Sequence, residues 1–325
     1  MKHISVIVPK GAILGSLEGS RQIFSQVNEF FKMRGLPPVF KVSLVGLTHE
    51  TPLSAGLFTV NTDLLISDVE QTDLIIIPAI DGDIRVAMEN NKDFIPWIRK
   101  QYQGGAEIAS LCLGAFLLAS TGLLDGKKCA THWLAENDFK MMFPNVKLVT
   151  QKIITDEQGI YSSGGAFSYL NLILYLIEKY AGREMAVLSA KVFAIELDRE
   201  SQLSFTVFQG QKGHEDESIK IVQKFIEENF HEKITIDQLA SMLAIGRRNL
   251  ERRFKKATSN TIAEYIQRVK IEAAKISFES SRENVNEVMY KVGYTDNKAF
   301  RTTFKRLTGL SPIQYRSKYH REIAV

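Results

Sequence analysis

Only two cysteines occur in the 325 residues, Cys112 and Cys129. So few thiols in so long a chain argue against a disulfide-stapled secreted protein and for a reducing cytoplasm. No run of about 18 apolar residues is present, so no membrane span is expected. The apolar start of MKHISVIVPKG meets Pro9 and Lys10 too soon for a secretory signal and reads as a first buried strand. Walker-type and dinucleotide-type glycine loops are missing. The six histidines are scattered, and neither cysteine joins them at ligand spacing. No metal and no cofactor is therefore expected.

What is present is an ordinary globular composition, 45% hydrophobic and 24% charged, in a chain long enough for two cores. The net charge of +4 conceals an asymmetry. Residues 213–325 carry 21 Lys and Arg against 15 Asp and Glu, while the preceding 212 residues carry 20 against 22. A basic C-terminal third on a near-neutral body points to an anionic partner at that end. The expected organisation is a domain over 1–208, a polar linker QGQKGHEDE over 209–217, and a second domain over 218–325.

The C-terminal third reads as short helices with an internal repeat. DQLASMLAIGRRNLERRFKKATSNTIAEY (237–265) aligns with NEVMYKVGYTDNKAFRTTFKRLTGLSPIQY (286–315). Leu239 pairs with Val288, Leu243 with Val292, Ala244 with Gly293, Leu250 with Phe300, Phe254 with Phe304, and Tyr265 with Tyr315. Each copy predicts a short helix, a tight turn and a longer basic helix, hence two helix-turn-helix units. In the second helix of each unit one apolar stripe faces inward: Leu250, Phe254 and Ala257, then Phe300, Phe304 and Leu307. Between the units, 262–278 predicts one amphipathic helix of roughly 25 Å, long enough to hold two reading helices in successive major grooves.

This segment resembles the AraC/XylS-type DNA-binding domain over about a hundred residues. The resemblance implies double-stranded DNA as the partner. It places Arg248, Glu251 and Arg252 of the first unit, and Asn297, Lys298 and Thr302 of the second, against bases, with Arg301 beside them. Thr302 departs from the basic residue that family members often carry there.

The first two hundred residues alternate strand and helix. ISVIVP, FKVSLVG, LIIIPA and EIASL read as strands. Helices are expected from about Ser20 to Arg34, around FIPWIRKQY, after Cys112 to Gly122, and over 166–180 and 183–197, with a hairpin around IITDEQGIYSS. This alternation predicts an α/β fold, a parallel sheet covered by helices on both faces. Ligands in such folds settle outside the carboxyl ends of the strands, and Cys112 stands at one of them. SLCLG (110–114) follows the nucleophile-elbow pattern, small residues flanking a strained turn. A helix N-terminus beyond the bend is expected to lower the thiol pKa.

IASLCLGAFLLASTGLLDGKKCATHW and the segment from FPNVKLV to IEKYAG resemble the class I glutamine amidotransferase-like, PfpI-type superfamily. Within it the resemblance is to the GlxA-like regulators fused to AraC-type domains, and it implies a flavodoxin-like fold. It makes Cys112 the elbow cysteine, Thr131, His132 and Trp133 a matching triplet, and Ser163, Gly164 and Gly165 a loop opening a pocket helix. Leu113 stands where hydrolytic members commonly have histidine, and Ser16, near Glu18, where related enzymes place an acid. His132, beside a tryptophan on a hairpin, reads as structural. Cys112 and His132 are thus vestigial catalytic candidates. A ligand pocket is expected from Cys112, Leu113, His132, Ser163 and Gly164, with Gly82 of the turn AIDGD. Together the two ends predict a one-component regulator, a homodimer with a small-molecule effector, and with RNA polymerase as a partner if it activates. A cysteine-dependent hydrolase and a thiol redox sensor are the alternatives.

Overall fold

The computed structural model describes residues 1–197 and 201–320. The chain divides into two compact units, Met1–Gln202 and a second that begins at Leu203. In the first unit the elements are β1 (Lys2–Ile7), α1 (Leu14–Met33), β2 (Phe40–Gly46), β3 (Glu50–Leu53), β4 (Phe58–Asn61), β5 (Leu64–Leu65) and β6 (Leu74–Ile77). There follow α2 (Ile84–Asn90), α3 (Phe94–Gln103), β7 (Glu107–Leu111), α4 (Gly114–Ser120), β8 (Lys128–Cys129), α5 (Glu136–Met142) and β9 (Lys147–Leu148). The unit closes with β10 (Ile154–Glu157), β11 (Ile160–Ser163), α6 (Tyr169–Ala181) and α7 (Arg183–Val192).

The main sheet runs β10-β11-β7-β6-β1-β2-β5 and is parallel except for the β10–β11 hairpin. Its central strands are apolar because both faces are covered. Alternate residues feed two cores: Ile4, Val6, Leu74, Ile76, Ala109 and Leu111 meet α1, α6 and α7. Ile75, Ile77 and Ile108 meet α3, α4 and α5 on the opposite face. This is the parallel sheet covered on both faces that the alternation predicted, of the flavodoxin-like kind that the resemblance implied.

Helix limits differ from the sequence reading. α1 starts six residues before Ser20, and its first turn is fastened from α6, where the Tyr169 hydroxyl donates to the Gly15 carbonyl at 2.8 Å. The helix expected to reach 197 ends at Val192, and Ala194 then turns into the left-handed region, φ 52°.

The second unit is helical: α8 (Glu217–Asn229), α9 (Ile236–Met242), α10 (Arg247–Thr258), α11 (Ile262–Ser280), α12 (Val285–Lys291), α13 (Asn297–Thr308) and α14 (Pro312–Tyr319). The repeat reaches beyond the aligned stripes. Thr258 and Thr308 both donate to the carbonyl one turn back, Phe254 and Phe304, at 2.8 Å. Thr261 and Ser311 both open the next helix with a capping box. Tyr265 and Tyr315, both buried, then donate to a glutamate on the helix preceding their own unit, Glu227 and Glu279. Each helix-turn-helix thus has its own core, one around Leu250 and Phe254, the other around Phe300 and Phe304.

The expected linker requires correction. The helical unit begins at Leu203, earlier than the boundary read from composition. The polar stretch and the residue before it pack against this unit through backbone and side-chain partners. Phe208 stacks edge-on with Tyr265, the Gln211 carbonyl accepts from Gln223 at 2.9 Å, and Asp216 caps α8 while gripping Arg253 at 2.9 and 2.6 Å. The expected end of this domain at 325 lies outside the described residues.

Candidate sensor site and nucleic-acid interface

Strand β7 delivers Cys112 into a left-handed backbone, φ 53°, which a side chain tolerates only when its surroundings over-determine it. Three contacts do so here. The Cys112 amide donates to the Ser163 carbonyl at 3.0 Å, and the Thr131 hydroxyl donates to the Cys112 carbonyl at 3.0 Å. Gly114 lies against β6, where a Cβ would stand 2.4 Å from the Pro78 carbonyl oxygen. The small residue two after the cysteine is therefore a packing necessity, as the elbow pattern requires.

The electrostatics run opposite to the expectation. Cys112 is buried, and burial pushes its thiol up to about 11; the Leu113 amide, directed at the sulfur, offsets only part of that. Cys129 is more deeply buried and is pushed up to about 12. α4 has only two turns, too few to outweigh desolvation.

His132 does not sit on a hairpin. It caps the short 3-10 turn Trp133–Ala135, its Nδ1 accepting from the Leu134 amide at 3.2 Å. Burial holds the imidazole below its ordinary pKa. A neutral ring whose Nδ1 accepts must carry its proton on Nε2, so neither nitrogen is a ready base. Ser16 accepts from the Ala79 amide at 3.0 Å and donates to Ile13, while Glu18 is held by Arg21. Gly82 is exposed, and its amide is spent on the Asp81 carboxylate at 2.8 Å, which leaves it no free donor to offer the expected pocket.

Ser163 and Gly164 close the site from β11, and both are buried. Behind them stands Gln202, a residue the sequence reading missed. Its Nε2 donates to the Thr131 carbonyl at 3.0 Å and occupies the space where a Gly164 side chain would be, 2.3 Å from an added Cβ. Nothing local in the sequence marks it, since its partner lies 71 positions away.

In the helical unit the aromatic stripes turn inward and the basic residues outward. Arg248 and Arg252 on α10, and Asn297, Lys298, Arg301 and Thr302 on α13, are exposed. Glu251 is half-buried and accepts from Arg247; Arg252 donates to Asn249 at 3.1 Å, and Asn297 to Asn286 at 2.9 Å. Of the other polar residues on these helices, Lys255, Lys256 and Lys305 are exposed, whereas Arg306 is tied to Gln267 at 2.7 Å. Helices of this kind can lay a positive face in a major groove.

These observations define the class: an α/β unit of flavodoxin-like fold joined to a duplicated helix-turn-helix unit. Comparison with known proteins agrees for each unit. Residues 30–179 match the DJ-1/PfpI family and residues 239–318 match a helix-turn-helix domain. The chain is 25% identical over 241 residues to the HTH-type transcriptional regulator GbdR of Pseudomonas aeruginosa, covering 72% of this chain. That alignment spans 65% of GbdR, somewhat under two thirds of its length. It is 21% identical over 222 residues to the HTH-type transcriptional regulator GlxA of Rhizobium meliloti, covering 68% of each protein. Among solved structures, an AraC family transcriptional regulator from Pseudomonas putida superposes with a TM-score of 0.52 at 14% identity, over 59% of this chain and all of the other. The chain carries an AraC-type helix-turn-helix domain behind a DJ-1/PfpI domain, and its relatives are helix-turn-helix transcriptional regulators.

Proposed function

We propose that this protein is a cytoplasmic, homodimeric transcriptional regulator that binds double-stranded DNA through α10 and α13 and senses a small molecule beside Cys112. The observation that carries the reading is the paired arrangement of the two reading helices. Each buries a Leu or Phe stripe in its own core and exposes its basic residues, the division of labour that groove binding requires. Arg248, Arg252, Lys298 and Arg301 supply charge for phosphates or guanine edges, Glu251 accepts from a base amine, and Asn297 and Thr302 supply smaller polar contacts.

The N-terminal unit acts by binding, without catalysis. A thiol at about 11 is protonated at neutral pH, His132 is no base in its present tautomer, and no acid stands at Ser16. The same protonated thiol weighs against a redox sensor, which needs thiolate character. The expected ligand groups are Cys112, Leu113, His132, Ser163 and Gly164. RNA polymerase is a further partner if the protein activates transcription.

The test is nuclease footprinting of the full chain on the DNA upstream of its own coding sequence, with and without candidate effectors. Two protected half-sites about one helical turn apart are expected, with protection altered by one small-molecule class. Absence of sequence-dependent protection under all conditions contradicts the reading.

A further inference from the structure

Two polar atoms of the sensor site are buried without a hydrogen-bond partner, the Ser163 hydroxyl and the Gln202 carboxamide oxygen. Neither residue is more than 1% exposed. Leaving such groups unpaired costs free energy, so folded proteins keep them chiefly where something else completes the bond.

Their surroundings are built. Ser163 ends β11, and its carbonyl holds the Cys112 amide. Gln202 reaches in from the far end of the unit. Its main-chain amide donates to the Gln151 carbonyl at 3.2 Å, and the preceding Ser201 bridges to Lys152. Its side-chain nitrogen is fully committed, to the Thr131 carbonyl at 3.0 Å and to the Lys152 carbonyl at 3.5 Å. The oxygen is left over, 3.7 Å from where a Gly165 Cβ would stand. Thr131 in turn holds the Cys112 carbonyl. A continuous chain of hydrogen bonds thus runs from the elbow through Thr131 to Gln202, the last residue of the N-terminal unit.

We propose that Gln202 reads the effector. Its carboxamide oxygen accepts a hydrogen bond from a small molecule bearing an ammonium or amide N–H group. The bound molecule fixes the residue at which the chain leaves the sensor unit. The inference rests on the sensor reading above and adds to it the ligand's chemistry and the point of coupling. The carboxamide oxygen can only accept, so the complementary group must donate. A quaternary ammonium, which has no N–H, lacks the required chemistry. Ligand binding that favours the fixed state over the loose one shifts the population of exit-segment conformations by that difference and no more.

The experiment uses the full chain and four probes: propylammonium and propionamide, which donate, and tetramethylammonium and methyl propionate, which have no N–H. Thermal unfolding and amide hydrogen exchange at Gln202 and Gly164 are followed as each is titrated. The two donors are expected to raise the unfolding midpoint and slow exchange at Gln202, and the two others to do neither. Gln202→Leu should weaken the donor response about tenfold. Gly164→Ala, whose methyl would meet the Gln202 carboxamide at 2.3 Å and the Thr131 carbonyl oxygen at 2.7 Å, should do the same with residue 202 unchanged. Undiminished donor response in both variants, equal stabilisation by tetramethylammonium, or no response to either donor overturns the proposal. Binding of upstream DNA by the wild-type chain is measured alongside, with and without the probes. Its absence in every condition would sink the regulator reading, whereas its presence with a failed probe response sinks only the role of Gln202.

Discussion

Ala244 and Gly293 hold the same place in the turns of the two helix-turn-helix units, and both adopt the left-handed backbone, at φ 52° and 74°. Their tolerance of change is opposite. An alanine there costs about 1 kcal/mol relative to glycine, so Ala244→Gly is expected to stabilise the helical unit slightly. At Gly293 a Cβ would stand 2.2 Å from the His231 carbonyl oxygen. Gly293→Ala therefore combines backbone strain with overpacking and is expected to cost about 3 kcal/mol. Urea denaturation followed by far-ultraviolet circular dichroism checks both; the opposite order of stabilities would contradict the shared-turn geometry.

Cys112 is expected to be chemically quiet. With its thiol at about 11, it should react with iodoacetamide at pH 7 roughly two orders of magnitude more slowly than a free thiol of ordinary pKa near 8.5. The rate should climb about tenfold per pH unit until the thiol ionises. Cys112→Ala should retain upstream DNA binding. Mass-spectrometric labelling at free-thiol speed would restore the hydrolase and redox readings.

Asp216 joins the former linker to α10 through Arg253, and the guanidinium holds its carboxyl below the ordinary aspartate value of 3.8. A depressed folded pKa gives stability that is present in full above the unfolded value and lost as the pH falls through the folded one. Asp216→Asn keeps a good cap for α8 and removes the ion pair. The variant should be less stable than wild type at pH 7, and the gap should close progressively below about pH 4. Thermal melts at a series of pH values decide it. A gap that persists unchanged into acid would mean that packing, not charge, fixes this segment.

Why some of this was legible and some was not follows from the range of the interactions. The helix-turn-helix repeat shows in the sequence because Leu250, Phe254, Phe300 and Phe304 repeat at helical spacing, each in its own local core. The elbow shows because Gly114 must be small. The burial of the Cys112 thiol does not show, since it depends on layers from both faces of a sheet. Gln202 and Asp216 were missed for the same reason: each sits in a polar, aperiodic stretch and acts through a partner far along the chain, Thr131 and Arg253. His132 reads from sequence as a residue of a hairpin, whereas it caps the short turn that follows it, a geometry that no local pattern announces.

The most direct measurement is fluorescence anisotropy of the full chain on its upstream DNA across a range of salt concentrations, for wild type, Arg301→Ala and Lys220→Ala. Arg301 is exposed on a reading helix, while Lys220 lies on α8 and pairs with Glu217. Binding by α10 and α13 predicts a steep linear fall of log affinity with log salt. The Arg301 variant should bind several-fold more weakly with a salt slope smaller by about one, and the Lys220 variant should match wild type. Equal affinities and slopes for all three proteins would contradict DNA recognition by these helices.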